Sequence, residues 1–181
     1  AMREMGRQFV LGEDMGKAMD RASKQEAKGY TYSYDMLGEA ARTMDDAYRY
    51  FESYRHAADV AGAAGNGHSI SVKLSALHPR YEIAQEARVM EELVPRVRAL
   101  AMLAKSAGMG FNIDAEEADR LALSLDVIEA VLEEPALRGW DGFGIVVQAY
   151  GQRASLVIDA LHNIAIRLDR KIMIRLVKGA Y

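Results

Sequence analysis

Lys73, Asp114, Gln148 and Arg175 are the side chains of this sequence whose type and placement point to chemistry. Each closes a short run of strand-forming residues: Ile70–Leu74 (ISVKL), Phe111–Asp114 (FNID), Ile145–Gln148 (IVVQ) and Ile172–Leu176 (IMIRL). Strand side chains alternate between two faces. Every run therefore buries one apolar face and carries a late polar residue on the other. Arg175 is the most telling of the four. A guanidinium that never loses its charge, set inside an aliphatic run, requires a carboxylate, a phosphate or a cofactor opposite it. Gln148 needs a hydrogen-bond partner, since a buried amide left without one costs ~1–3 kcal/mol. Lys73 can serve a site or snorkel from a strand end. Asp114 has two readings of equal standing. One is a site carboxylate; the other is a capping box over Asp114–Glu117 (DAEE), with Asp114 on helix amides and Glu117 reaching back.

The elements that must position these residues alternate. A helix over residues 2–28 carries Phe9, Val10, Ala18 and Met19 as core candidates and ends at Gly29. A tyrosine-rich strand runs from Tyr30 to Leu37, with Tyr30, Tyr32 and Tyr34 read as barrel filling. An alanine-rich amphipathic helix over 39–62 turns Ala40, Met44, Ala47 and Phe51 inward. Strands over 69–75, 110–114, 144–149 and 171–178 then alternate with helices over 84–107, 116–133 and 153–168. Strands alternating with helices make a parallel sheet with right-handed crossovers. An open doubly wound sheet would show a G-x-G-x-x-G turn after a strand, and none is present. A (βα)8 TIM-type barrel instead carries polar side chains at the C-terminal ends of several strands. The fold expected is thus α/β, with residues 1–29 as a leading helical segment. Residues 30–181 make about the first five strands of a barrel that is incomplete at its C-terminus.

Composition narrows the functional classes. The chain has 181 residues, half of them hydrophobic, with a formal net charge of −3. That leaves no basic surface for nucleic acid. Cysteine is absent, which removes disulfides, thiolate catalysis and Cys-ligated metal. No two of His56, His68, His78 and His162 have metal-ligand spacing, so no metal site is expected. His78 is the one histidine placed to line a pocket. Glu91 and Glu92 read as a solvated helix face. No apolar run reaches the ~18 residues of a membrane span.

Five segments, in order, carry a resemblance: Tyr32–Ala40 (YSYDMLGEA), Ser71–Tyr81 (SVKLSALHPRY), Asn112–Leu121 (NIDAEEADRL), Val147–Tyr150 (VQAY) and Ile174–Tyr181 (IRLVKGAY). Together they resemble the proline dehydrogenase domain of bacterial proline utilization A, a bifunctional flavoenzyme of proline catabolism. The resemblance implies a barrel that binds FAD at its C-terminal strand ends. It implies oxidation of L-proline to Δ1-pyrroline-5-carboxylate, with hydride passing to flavin N5 and electrons onward to a quinone. Arg175 would lie near flavin N5 and Gln148 on the flavin's polar edge. Val177, Gly179 and Ala180 would approach the isoalloxazine closely. Lys73 would bind the proline carboxylate, Asp114 would orient that ion-pair network, and Tyr181 would wall the substrate pocket. The resemblance also implies a cytoplasmic protein with peripheral contact at the inner face of the membrane and an aldehyde dehydrogenase module elsewhere in the full-length chain.

The sequence departs from the family pattern in three places. The loop before His68 is short, Gly151–Arg153 (GQR) replaces a Gln-Lys-Arg run, and the arginine pair of the family's final barrel helix is missing. A chain of this extent is expected to be inactive alone. Two further readings need no flavin: a Schiff-base lyase or aldolase using Lys73 or Lys178, and a non-catalytic scaffold segment.

Overall fold

In the computed structural model, residues 10–36, 38–65 and 67–179 are described. Five strands, β1 (Ser33–Asp35), β2 (Ser69–Val72), β3 (Gly110–Ile113), β4 (Phe143–Gln148) and β5 (Met173–Val177), form one sheet in the order β1-β2-β3-β4-β5. All four pairings are parallel. The helices are α1 (Met15–Glu26), α2 (Met44–Ala64), the one-turn α3 (Leu74–Leu77), α4 (Glu86–Ser106), α5 (Leu121–Leu132) and α6 (Ala154–Leu168). Chain order and spatial order coincide, as they do when successive βα units wind in one direction. Among the described residues no helix is long and apolar enough to cross a membrane.

The core lies between the sheet and the helices. Ile70, Val72, Phe111, Ile113, Phe143, Ile145 and Val147 pack there against Ala57, Ala58 and Ala61 of α2. Leu93, Val97 and Leu100 of α4, Val127 and Val131 of α5, and Leu161 of α6 cover the rest. Burying each large side chain contributes ~1.5–3 kcal/mol. Alanine at the α2 contact positions lets that helix approach the sheet closely.

The opposite face of the sheet is small and polar. Ser33 and Ser71 share a 3.1 Å hydrogen bond, and Asn112 donates to Ser69 Oγ at 3.1 Å. Asn112 stands opposite Gly144 in the register. A Cβ on Gly144 would collide with Asn112 Oδ1, so glycine is the residue that fits there. The face that carries Ser33, Ser71 and Asn112 is also the one that carries the strand-end polar residues.

Several expectations are corrected. The helix expected over 39–62 begins at Met44, because Thr43 and Asp46 form a capping box: Thr43 Oγ1 accepts the Asp46 amide, and Asp46 Oδ2 accepts the Thr43 amide. Ala40, expected on the buried helix face, lies in the preceding loop at φ 51°. Its amide, with that of Ala41, is taken by Ser75. The tyrosine strand contracts to Ser33–Asp35. Tyr32 and Tyr34 stack on each other and meet the His68 ring tilted and edge-on at the helix-facing side, and Tyr30 is exposed, so these rings do not fill a barrel interior. α1 starts at Met15, where Asp14 caps it. Ala18 is buried there, Met19 packs against the core, and Phe9 and Leu37 lie outside the described residues.

Candidate active site

Lys73 follows the last residue of β2 and precedes α3, with an extended backbone and no capping duty for its side chain. Its ammonium is therefore free to reach across the sheet. It donates to both oxygens of Asp35, at the end of β1, at 2.8 Å, and to Asp114 Oδ2 at 3.2 Å. Asp114 Oδ1 accepts from Arg175 at 2.7 Å, and Arg175 reaches back to Ser71 Oγ at 3.4 Å. An alternating row of charges, Asp35–Lys73–Asp114–Arg175, thus spans the ends of β1, β2 and β3 and the middle of β5.

The row is half-buried: the side chains of Lys73 and Asp114 are 19 % and 12 % exposed, that of Arg175 41 %. Burial works against the Lys73 charge. The hydrogen bond to Asp35 and the fields of Asp114 and Asp35 outweigh it and hold the ammonium above its ordinary value. A lysine so held is a fixed cation and a poor amine nucleophile, and Lys178 is exposed. Neither fits the desolvated amine that Schiff-base chemistry needs. Beneath Lys73, Tyr54 accepts its backbone amide at 3.3 Å, and burial pushes the Tyr54 phenol up to about 12.

The capping reading of Asp114 fails. Residues 114–117 are not helical, and both Asp114 oxygens are occupied by cations. Charge-assisted bonds to two cations are stronger than one to a neutral amide. Glu117 does not reach back; it pairs with Arg120 at the surface. Gln148 ends β4 but stays out of the charge row, donating instead to the backbone oxygen of Glu116 at 3.3 Å. Val177 closes β5, and its carbonyl accepts the Ala149 amide at 2.9 Å. Gly179 is buried beneath the Tyr150 ring, which a Cβ would strike, at φ 61°. Its smallness is thus already required by this chain's own packing. Ala180 and Tyr181 lie outside the described residues.

Sequence reasoning missed two acids. Asp35 satisfies the same rule as the other four, a polar residue late in a strand on the polar face; the strand was simply drawn too long. Glu116 gave no such signal. Its carboxylate accepts the Ser75 amide at 3.0 Å, and burial raises its pKa. It lines a cavity of about 330 Å³ with Tyr81, Asp114, Gln148 and the apolar residues Leu125 and Val157.

The histidines stand apart from this row. His78 is buried, accepts the Arg80 amide and faces Glu92 at 3.2 Å, and Glu92, still partly exposed, also accepts from Arg88 at the surface. His68 accepts the Tyr32 amide. His56 and His162 are exposed. Among the described residues, no group of three or more His, Cys, Asp or Glu could hold a metal ion.

Known proteins share this fold and much of this sequence. The family profile described as proline dehydrogenase matches residues 18–181. The bifunctional protein PutA of Salmonella typhimurium is 56 % identical over 187 residues, covering 100 % of this chain and 14 % of that protein. A crystal structure of a Bradyrhizobium japonicum proline utilization A mutant superposes with a TM-score of 0.87 at 54 % identity, over 99 % of this chain and 19 % of that one. Proline utilization A from Bdellovibrio bacteriovorus, inactivated by N-propargylglycine, superposes with a TM-score of 0.92 at 26 % identity, over 99 % and 20 %. The chain therefore spans a small part of the relatives it matches, and its five parallel strands are those of a TIM-type barrel. By the match of the family profile over almost its whole length, the chain belongs to the proline dehydrogenase family.

Proposed function

We propose that this chain is the first five strands of the barrel of an FAD-dependent enzyme that oxidises L-proline to Δ1-pyrroline-5-carboxylate. The observation that carries the proposal is the Asp35–Lys73–Asp114–Arg175 row at the strand ends of a proline dehydrogenase family member. Ion pairs add little net stability: exposed ones are worth ~0–1 kcal/mol, and for partly buried ones the desolvation cost offsets much of the attraction. Stability is a weak reason to line up four of them, whereas binding a zwitterionic amino acid is a strong one.

The residues fit a flavin. After pairing with Asp114, Arg175 keeps a buried Nε–H without a partner among the described residues, so a donor and a fixed charge remain for a ligand. When bound, FAD supplies the two-electron acceptor, N5, for the hydride on the proline carbon next to nitrogen, and a quinone then takes the electrons. Arg175 would lie near flavin N5, where its permanent positive charge would favour the more negative reduced flavin. Gln148 would offer an amide to the polar edge of the ring system, Val177 and Gly179 would pass close to it, and the proposal extends that role to Ala180. Lys73 binds the proline carboxylate as a fixed cation. Asp114 holds Lys73 and Arg175 apart at one carboxylate and so sets substrate against cofactor. The proposal gives Tyr181 the role of a wall to the substrate pocket.

The rest of the barrel, an aldehyde dehydrogenase module, the cytoplasmic setting and peripheral contact with a membrane that supplies quinone belong to the same proposal, as does inactivity of the isolated chain. The test is proline-dependent dye reduction by the full-length protein, with flavin absorbance read in parallel. Purification with a flavin that proline bleaches is the expected result. A protein that binds no flavin, or whose flavin is blind to proline, sinks the proposal.

A further inference from the structure

The 114–118 segment bridges two halves of the site without being packed from below. It runs over the cavity of about 330 Å³ that opens between α5 (Leu121, Leu125) and α6 (Ala154, Val157). Such a segment must be fixed by hydrogen bonds instead of side-chain packing. Glu116 supplies two. Its Oε2 accepts the Ser75 amide at 3.0 Å, in the turn directly after Lys73. Its carbonyl oxygen accepts from Gln148 Nε2 at 3.3 Å, across on β4. Ser75 in turn accepts the Ala40 amide on its hydroxyl and the Ala41 amide on its carbonyl, which ties in the loop after β1. The far end of the α3 turn is held by Arg96, which donates to Leu77 O at 2.7 Å.

We infer that Glu116 is a positioning residue: its carboxyl fixes the turn carrying Lys73, and its carbonyl fixes Gln148, so that the substrate side and the cofactor side of the site keep one register. The inference rests on the proposed proline dehydrogenase activity and adds to it a residue that acts through Ser75 and Gln148. Burial raises the pKa of Glu116 and weakens any need for its charge. What the Ser75 amide requires is an oxygen acceptor at that place, which a glutamine side chain provides and an aspartate, one methylene shorter, withdraws.

The experiment compares Glu116→Ala, Glu116→Asp and Glu116→Gln in the full-length protein, reading KM and kcat for proline on the flavin-loaded fraction. Hydrogen exchange of the peptide containing Ser75 is followed alongside. Loss of a buried acceptor predicts a rise of about tenfold or more in KM for proline in the Ala and Asp variants. A much smaller change in kcat and faster exchange at Ser75 accompany it, and Gln restores KM and protection to within about threefold. The inference is overturned if Ala and Asp leave KM and exchange unchanged, or if Gln is as impaired as Ala. Should Ala not fold, the Asp and Gln pair decides alone. A wild-type protein that does not oxidise proline would overturn the functional reading instead. Unchanged Ser75 exchange in Glu116→Asp would then still reject the clamp.

Discussion

At the scale of single residues, Asp114 holds two cations with one carboxylate and is the member whose loss leaves most unpaired. Asp114→Ala leaves Arg175 without its carboxylate partner and Lys73 with Asp35 alone. Because the row is only half-buried, both cations can swing toward solvent or ligand instead of standing uncompensated, so the loss falls on the geometry of the site. The expected outcome is a loss in kcat/KM for proline of about a hundredfold or more with little change in melting temperature. A large drop in melting temperature with kcat/KM intact would make the row structural. His78 gives a second residue-level expectation. Burial holds its pKa below the ordinary 6.5, while Glu92 pulls the other way. A depressed pKa means that the unfolded chain binds the proton first as pH falls. The stability His78 contributes is therefore complete above about pH 6.5 and drains away as pH drops toward the folded value. In His78→Asn, whose carbonyl can still accept the Arg80 amide, urea midpoints should fall less between pH 7 and pH 5.5 than in wild type. Parallel curves would refute this.

At the scale of elements, the places where sequence and structure agree share one cause, and so do those where they part. β2, β3 and β4 were legible because Ile70, Val72, Phe111, Ile113, Ile145 and Val147 obey a strict period of two against a buried helix layer. The strand-end rule exposed Lys73, Asp114, Gln148 and Arg175 for the same reason. The starts of helices were not legible from periodicity. Ala40 and Ala41 have helix propensity, but Thr43 and Asp46 offer two amides a better partner, and Ser75, distant in sequence, claims the amides before them. Asp114 illustrates the same limit. Its capping box was a sound local pattern, undone by two cations that arrive from β2 and β5 only once the sheet forms. The tight cross-strand fit also makes a prediction. In Gly144→Ala the new methyl would overlap Asn112 Oδ1, and Asn112 is held in place by the bonds its Nδ2 donates to Ser33 and Ser69. Overpacking of this kind costs ~1–3 kcal/mol. The full-length protein should lose several degrees of melting temperature, and Asn112→Ala in the same background should recover part of the loss.

At the scale of the whole molecule, the sheet has two ends, and they differ. β1 is three residues long and capped by the charged Asp35, a short polar edge of the kind that resists pairing. β5 is longer and, among the described residues, is hydrogen-bonded along one side by β4 alone. Leu176, on its helix-facing side, is 58 % exposed, and Met173, on the polar face, is 49 % exposed. An apolar strand with a free row of backbone donors and acceptors is a template for another strand. The 181-residue polypeptide expressed alone is therefore expected to self-associate, showing concentration-dependent mass in light scattering and strong binding of an apolar dye. The complete barrel should show neither. Leu176→Lys places a charge on the exposed face of that edge strand and should lower the dye signal and shift the isolated polypeptide toward monomer, with Arg175 and its bond to Asp114 left in place. If the isolated polypeptide is already monomeric and dye-silent, β5 is not an adhesive edge, and the exposure of Leu176 and Met173 needs another explanation.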